Sequence, residues 1–573
     1  MKESGGFFPF RLAWLIPVAA LVTLGLGLWG WLGQGVAWDE ALYRAVALFD
    51  INNEAYADNH AGDSFWQFRI GRWIGAGVVF SGLLALAALL REHLANWLAR
   101  WSKQQVVVAG GEPLATAAFE TARARGKSVL WLGANAFSWL RFRTIALPWP
   151  PRDHEGSVFD HARRADHLLI AENDDAEALV LAKAARAAAP TAELTVLISD
   201  MRLAEDAAAT LDDPHARMLS PGQVAARALN IAHPPFLIAR QRGQTRIHAL
   251  IVGFGQTGQA IARDLIVNCR TTYLGLPRLT VIDPIAAALE GVLRVRSPEL
   301  DACAEHRFVT GEVSGRAVRP EPAAIAGALA DGGPLTAVYV CLADDPSALS
   351  SGLMLQSLLR SLDIDAPPMF VRLRRAGAIG AGRQGPGREG PGREGATGLD
   401  ALTPFGDLDA VLAASDFLAD APDSAARGFH EAYRAGLTPE RRNDPANAAA
   451  RPWETLAETY RQNNRDVVAH IPAKLASAGV DPARWVGVAT LPRLTQADAF
   501  ADDPAQLDAL SQLEHERWNA QRRMDGWRGA PEGGRDNARR RNPALKPWDE
   551  LSEELKGYDR VIVQQTDAAC RGK

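Results

Sequence analysis

The chain has 573 residues, 47% of them apolar and 23% charged, with a formal net charge of −5 and a mean hydropathy of −0.10. These values exclude a collagenous, disulfide-stapled or wholly disordered chain, and the near-neutral charge argues against a nucleic-acid partner. Cys269, Cys303, Cys341 and Cys570 show no CxxC or Cys/His spacing, so neither a zinc site nor a disulfide framework is expected.

The apolar residues are unevenly spread. Residues 11–33 read RLAWLIPVAALVTLGLGLWGWLG, about 20 uncharged residues in succession, enough to cross a ~30 Å hydrocarbon core. A second stretch, 70–90, holds only Arg72. The predicted spans are ~12–33 and ~70–92, within a transmembrane module over 1–103. Eight of the 16 Trp lie by position 101, most of them flanking the spans as headgroup-level anchors do. Lys2, Arg11, Arg91, Arg100 and Lys103 lie on the outer flanks, whereas 34–68 carries Arg44 alone against Asp39, Glu40, Asp50, Glu54, Asp58 and Asp63. The positive-inside rule then predicts a multi-pass protein of the plasma (inner) membrane with both termini cytoplasmic. Between the spans, 38–49 has helical periodicity. Two spans around a short helix are the plan of a pore-lining subunit, with an interfacial helix on a plain anchor as the alternative. The following DINNEAYADNHAGDSF has no TVGYG run, so a potassium-selective filter is not expected.

Next comes QVVVAGGEPLATAAFETARARGKSVLWLG, in strand, glycine-turn, helix, strand order. The order returns at HALIVGFGQTGQAIARDL and RLTVIDP, and each copy later has a strand ending in an acidic pair, Asp174-Asp175 and Asp344-Asp345. An internal duplication is the simplest reading. The predicted lobes are 104–235 and 236–375. In the second, Gly253, Gly255 and Gly258 form a GxGxxG between strand and helix. Such a loop gives a tight turn, close approach of a phosphate and a helix N-terminus facing the anion. The candidate nucleotide-binding residues are Gly253, Phe254, Gly255, Gln256, Thr257, Gly258, Asp283 at the next strand end, and Asp344. A structural tight turn is the alternative. The first copy has Glu112 and Ala115 at the second and third glycine positions, which suits a lobe that binds no nucleotide.

Two spans followed by tandem units with GFGQTGQ, VID and ADD resemble the TrkA-N (RCK) regulatory domains of potassium channels and transporters. The resemblance implies lobes paired into a gating ring, a regulatory nucleotide (NAD(H), ATP/ADP or a cyclic (oligo)nucleotide), and four chains around one pore. No Tyr-x-x-x-Lys or His/Asp/Arg hydride-transfer set accompanies the glycines, so no catalytic residues are assigned and the chain is not expected to be an enzyme.

Residues 376–450 read as a flexible GPGRE-repeat linker followed by bridging helices. From 451 to 573 the composition shifts to polar helices rich in Trp and Arg. LEHERWN, GW, NP, PWDEL and KGYD resemble the RyR domain, the repeat named for ryanodine receptors and found in bacterial proteins. HERWN lacks the second His of a zinc HExxH. His515, Trp518 and Arg522 share one helical face. With Trp527, Arg539 and Trp548 they form a candidate pocket, because tryptophan faces beside arginines suit a base and its phosphates. The same tryptophans also suit a plain helical core. The fold class expected is multidomain: a two-helix transmembrane module, tandem Rossmann-like α/β lobes and a mostly α-helical RyR-like domain. The function expected is a ligand-gated membrane channel, or channel-like effector, in which a small nucleotide controls ion permeation in signalling or antiviral defence. Its partners would be lipid, its own copies as a tetramer, the nucleotide and ions. A non-conducting membrane-anchored sensor is the alternative, and a nucleotide-dependent enzyme is disfavoured.

Overall fold

The computed structural model describes residues 15–50, 66–101, 105–133, 144–148, 162–375 and 398–571, with short gaps at 212, 214, 416, 419–422, 446, 487–490, 492 and 496–497. For 84–101 and 144–148 the backbone alone is described. The GPGRE linker, the residues before 15 and much of the acidic loop lie outside these. The chain divides into two compact units, one within 1–102 (with 138–140) and one from 103 onward.

In the first unit, α1 (Leu15–Leu32), α2 (Trp38–Val46) and α3 (Trp66–Trp101) pack through glycines. Leu48, only 2% exposed, is the wedge among them. A Cβ on Gly27 would come within 2.8 Å of the Leu48 side chain, and one on Gly75 within 2.6 Å of its carbonyl oxygen. Only glycine lets the helices approach this closely. The spans expected at ~12–33 and ~70–92 fall on helices. Among the described residues, however, no helix is long and apolar enough to cross a membrane. The 18 residues of α1 measure about 27 Å, short of a ~30 Å core. The expectation of two spans is corrected to two apolar helices.

In the second unit, β1 (Val106–Ala109), β2 (Val129–Gly133), β3 (Thr144–Pro148), β4 (His167–Ile170), β5 (Glu193–Leu197) and β6 (Ala216–Leu219) form a parallel sheet ordered β3-β2-β1-β4-β5-β6. A second sheet contains β7 (His248–Val252), β8 (Arg278–Asp283) and β9 (Glu305–Thr310). After the short antiparallel pair β10 (Glu312–Val313) and β11 (Val318–Arg319) it continues with β12 (Ala337–Val340), β13 (Met369–Arg372) and β14 (Leu402–Phe405). Its order, β14-β13-β12-β7-β8-β9, is the first sheet's order read from the other edge. Both are the doubly wound 3-2-1-4-5-6 arrangement of Rossmann-like folds. The inner strands β1 and β7 are fully buried, as an apolar β-branched run covered on both faces requires.

The helices that matter below are α4 (Leu114–Ala124), α5 (Asp175–Ala188), α6 (Pro221–Ala232), α7 (Gln256–Val267), α8 (Asp345–Ser361), α9 (Ser424–Ala435), α10 (Glu458–Ala469), α11 (Pro504–Met524) and α12 (Glu553–Cys570). The two acidic pairs do the same work in each lobe. Asp174 accepts from the N–H groups of Ala176 and Glu177 and caps α5, while Asp175 accepts from Ser199 and Asp200 N–H. Asp344 accepts from Ser347 N–H at 2.9 Å and caps α8, while Asp345 accepts from Arg374 and Arg375 N–H. Each first acid fixes a helix start and each second ties down the turn after the next strand. One apolar cluster runs from Ala225 through Phe254, Tyr339 and Val467 to Cys570, so the second lobe and the C-terminal helices share a core.

Candidate functional site

The glycine loop joins β7 to α7. Gly253 has φ +87°, and a Cβ there would press on Leu342 and the Cys341 carbonyl. A Cβ on Gly258 would overlap the Gly253 carbonyl oxygen, whereas one on Gly255, which is exposed, would meet nothing within 4 Å. Phe254 is buried and packs edge-on against Phe308 at 5.1 Å. Thr257 is buried too. The carboxylate of Asp283 already accepts from Phe254 N–H at 2.8 Å and Ile285 N–H at 3.0 Å, and Asp344 is the α8 cap. A second carboxylate stands near the loop. Gln256 Nε2 donates to Asp200 Oδ2 at 3.3 Å, and Arg296 lies 3.7 Å from the same oxygen. Burial pushes the Asp200 pKa up, but N–H donation from Leu203 and Arg202 and the charge of Arg296 outweigh it and hold the group below the usual range. In the first lobe, Ala115 is fully buried where the second lobe has Gly258, and Glu112 is exposed.

A larger cavity, of about 560 Å³, lies among α9, α10, α11 and α12, a size suited to a small organic ligand. Asp503 caps α11 by accepting from Ala505 N–H, with Pro504 in the first turn and Arg522 and Arg523 in the last. Both ends follow the helix dipole. This helix carries Glu514, His515, Arg517, Trp518 and Arg522 to the cavity wall. Arg522 is 6% exposed. Its guanidinium carbon lies 5.3 Å from the Tyr460 ring centre, 5.9 Å from Trp518 and 5.4 Å from Trp527. Among the described residues it makes no ion pair, and its Nε and Nη1 have no hydrogen-bond partner. Burial pushes its pKa down, Asp525 and Tyr460 pull it up, and Arg535 and Arg517 push it down again. Ring faces stabilise a cation by about 0.5–2 kcal/mol each. An enclosed charge without hydrogen bonds costs several kcal/mol. An anion entering this cavity would approach a cation that no carboxylate among the described residues pairs.

The acids of the cavity wall are engaged. Glu514 lies 2.7 Å from Lys474 Nζ and accepts from Arg517 Nη2 at 2.8 Å. Burial would raise its pKa, but Arg517 and Lys474 hold it well below the usual range. Asp559 faces His515 Nδ1 at 3.3 Å, while His515 Nε2 donates to the Lys546 carbonyl at 2.9 Å. Behind Arg522, Asp525 lies 3.5 Å from Arg263 Nη2 on α7. The same Arg263 reaches Asp466 on α10 at 3.0 Å, where Arg227 of α6 and Gln462 also donate. The helix that follows the glycine loop and the helices α10 and α11 of the cavity wall thus meet in one buried ionic network.

The structure brings His515, Trp518, Arg522 and Trp527 to one cavity. Trp548 packs against His515 at 5.9 Å and Arg539 is 78% exposed beside Asp536, and neither lines the cavity. Sequence reading missed Tyr433 on α9, Tyr460 on α10, Tyr558 on α12 and Arg441 as lining residues, and Arg535 also lines the cavity. The tryptophan faces expected to stack a base are turned instead toward Arg522 and, for Trp518, onto His515 at 5.7 Å.

No family model and no curated protein matches the chain. Among solved structures it is similar to the GsuK channel bound to ADP (15% identity over 64% of this chain and 88% of that one, TM-score 0.32). It is also similar to the GsuK channel bound to NAD (14% identity, 64% and 76%, TM-score 0.32) and to the GsuK RCK domain (13%, 48% and 70%, TM-score 0.31). At these scores the likeness adds nothing to the Rossmann-like topology that the two sheets themselves display.

Proposed function

We propose that this chain is a membrane-anchored sensor of a small nucleotide, built as a ligand-gated channel or channel-like effector. The observation that carries the reading is Arg522, a buried guanidinium with unmet donors in a cavity lined by rings. The ligand sits there in preference to the glycine loop, because Asp200 stands beside Gln256 and Asp283 and Asp344 are committed to backbone N–H groups. Binding places an anion beside Arg522 and so redistributes the pull on Asp525, whose other cationic neighbours include Arg263 of α7 and Arg202. That shift biases the arrangement of the sensor body.

Membrane anchoring is supported by the first unit's exposed apolar side chains, among them Leu21, Trp29, Trp73 and Phe80, each at least 60% exposed. A three-helix unit showing this much apolar surface has it covered by lipid or by further copies. In this reading the sensor body is cytoplasmic, the assembly is a tetramer, and the nucleotide is a regulator and not a reactant. The test is thermal shift of the purified full chain against ATP, ADP, NAD, NADH and cyclic nucleotides, followed by ion flux from liposomes with whichever nucleotide protects. Protection that Arg522→Gln removes and Gly255→Asp leaves intact supports the cavity. The reverse pattern moves the site to the glycine loop, and protection without flux leaves a non-conducting sensor.

A further inference from the structure

Resting on that assignment of the cavity, we infer that its ligand enters phosphate-first and carries a free terminal phosphate, as a nucleoside mono- or diphosphate does and a cyclic phosphodiester does not. The shape of the Arg522 enclosure is the first reason. Tyr460, Trp518 and Trp527 surround the guanidinium at 5.3–5.9 Å. Only the end of a ligand reaches a group enclosed on three sides. A terminal phosphate offers three oxygens to the fork of an arginine. In a cyclic monophosphate the phosphorus is fused to the sugar ring, and two oxygens sharing one charge remain.

Charge balance is the second reason. Glu514 is held by Lys474 and Arg517, Asp559 faces His515, and Arg441 is paired with Glu554 at 2.7 Å. Among the described residues, Arg522 and Arg535 line the cavity without an ion pair. The nearest hydrogen bond of Arg535 is a long one, 3.4 Å, to the amide of Asn537. Even with Asp444 on the same wall and Asp525 behind Arg522, two arginines without an ion pair favour a multiply charged anion, and Arg535 lies close enough to push the Arg522 pKa down.

The placement of the remaining rings is the third. With the tryptophan faces turned to Arg522, Tyr433 and Tyr558 form the remaining aromatic wall beside His430, their centres 6.0 Å apart and their planes at 57°. Arg441 Nη1 donates to the Tyr558 hydroxyl and fixes that ring. A base lies against this pair while its phosphates point to Arg522.

The experiment is calorimetric titration of the full chain with ADP, AMP, cyclic AMP and adenosine, repeated on Arg522→Gln, on the exposed Arg535→Gln and on Tyr433→Ala. The expected order is ADP and AMP well above cyclic AMP, with adenosine weakest. Arg522→Gln lowers ADP affinity about tenfold to a hundredfold and brings ADP and cyclic AMP together. Arg535→Gln, at an exposed position, weakens ADP while leaving adenosine unchanged, and Tyr433→Ala weakens all four alike. If cyclic AMP binds as tightly as ADP and both need Arg522, the terminal-phosphate inference is overturned while the cavity stands. If ADP affinity is the same in Arg522→Gln and in Arg535→Gln as in the parent chain, the cavity assignment itself fails.

Discussion

Replacing Gly258 and Gly255 separately by alanine distinguishes a glycine needed for packing from one that leaves room for a ligand. Gly258 lies in the first turn of α7, and an added Cβ would overlap the Gly253 carbonyl oxygen. Against an ordinary contact of ~3.5 Å, the overlap is about 1 Å. Neither partner is the free end of a flexible side chain, so backbone must move. Overpacking of this kind costs about 1–3 kcal/mol or more, and the gain of an alanine in a helix returns up to about 1 kcal/mol. The net expectation is a loss of roughly 2 kcal/mol, which for a unit of this size, with an unfolding entropy of about 1 kcal/mol/K, lowers the melting temperature by about 2 °C. Gly255 has φ −67° and open space around its Cβ position. The small loss from alanine at an N-cap is offset by the restricted unfolded chain, and its melting point should stay within about 0.5 °C of the parent. Scanning fluorimetry on the three proteins reads both numbers. Equal shifts for the two variants would refute the packing argument, because they would mean that the close approach of α7 to the Gly253 carbonyl is not what Gly258 provides.

Asp466→Asn strands Arg227 and Arg263 without their shared carboxylate and should cost about 3–5 kcal/mol, visible as a large drop in urea midpoint. A change under 1 kcal/mol would show that the network is dispensable. Burial holds His470 down to about 4 from its ordinary 6.5. A folded value below the unfolded one favours the neutral ring, so this contribution is complete above pH ~6.5 and lost as pH falls through ~4, about 3 kcal/mol in all. His470→Gln should flatten that part of a stability–pH curve, and an unchanged slope would remove His470 as its source. All four cysteines are buried, and burial pushes the Cys341 thiol up to about 12 and those of Cys303 and Cys570 up to about 11. A thiol reagent at pH 8 should therefore label none of them in the folded chain and four after denaturation. Asp345→Ala releases two backbone N–H groups where Asp344→Ala releases one. The first should lower the melting point more, and the opposite ranking would count against their division of labour.

The two sheets were legible because their inner strands are short β-branched runs, and because the second copy repeats the first in order and spacing. β14 was hidden within a presumed linker, since LTPF contains a proline and follows a glycine-rich stretch. Asp344 read as a ligand for a nucleotide. Its counterpart Asp174 sits in a lobe without the glycine motif, which already hinted at a capping role. Helical period placed Trp518 and Arg522 together, but no period governs the loop that carries Arg539, and that side chain turned to solvent. Tyr460 escaped notice because α10, with mean composition as polar as a surface helix, is buried. Glu458, Arg461, Gln462, Arg465 and Asp466 on it are all under 10% exposed. Their ion pairs with Asp423, Arg263 and Arg227 make that burial tolerable, and such partners 40 to 240 residues away in sequence leave no local trace.

The wedge formed by Leu48 has a mechanical consequence. With Gly27 and Gly71 closed on the Leu48 side chain and Gly75 on its carbonyl, α1 and α3 have no slack in which to slide. A force applied along α3 is therefore delivered to α1 and α2 together, and the first unit answers a pull as a single stiff body. Enlarging any of these glycines would change its shape before it changed its flexibility.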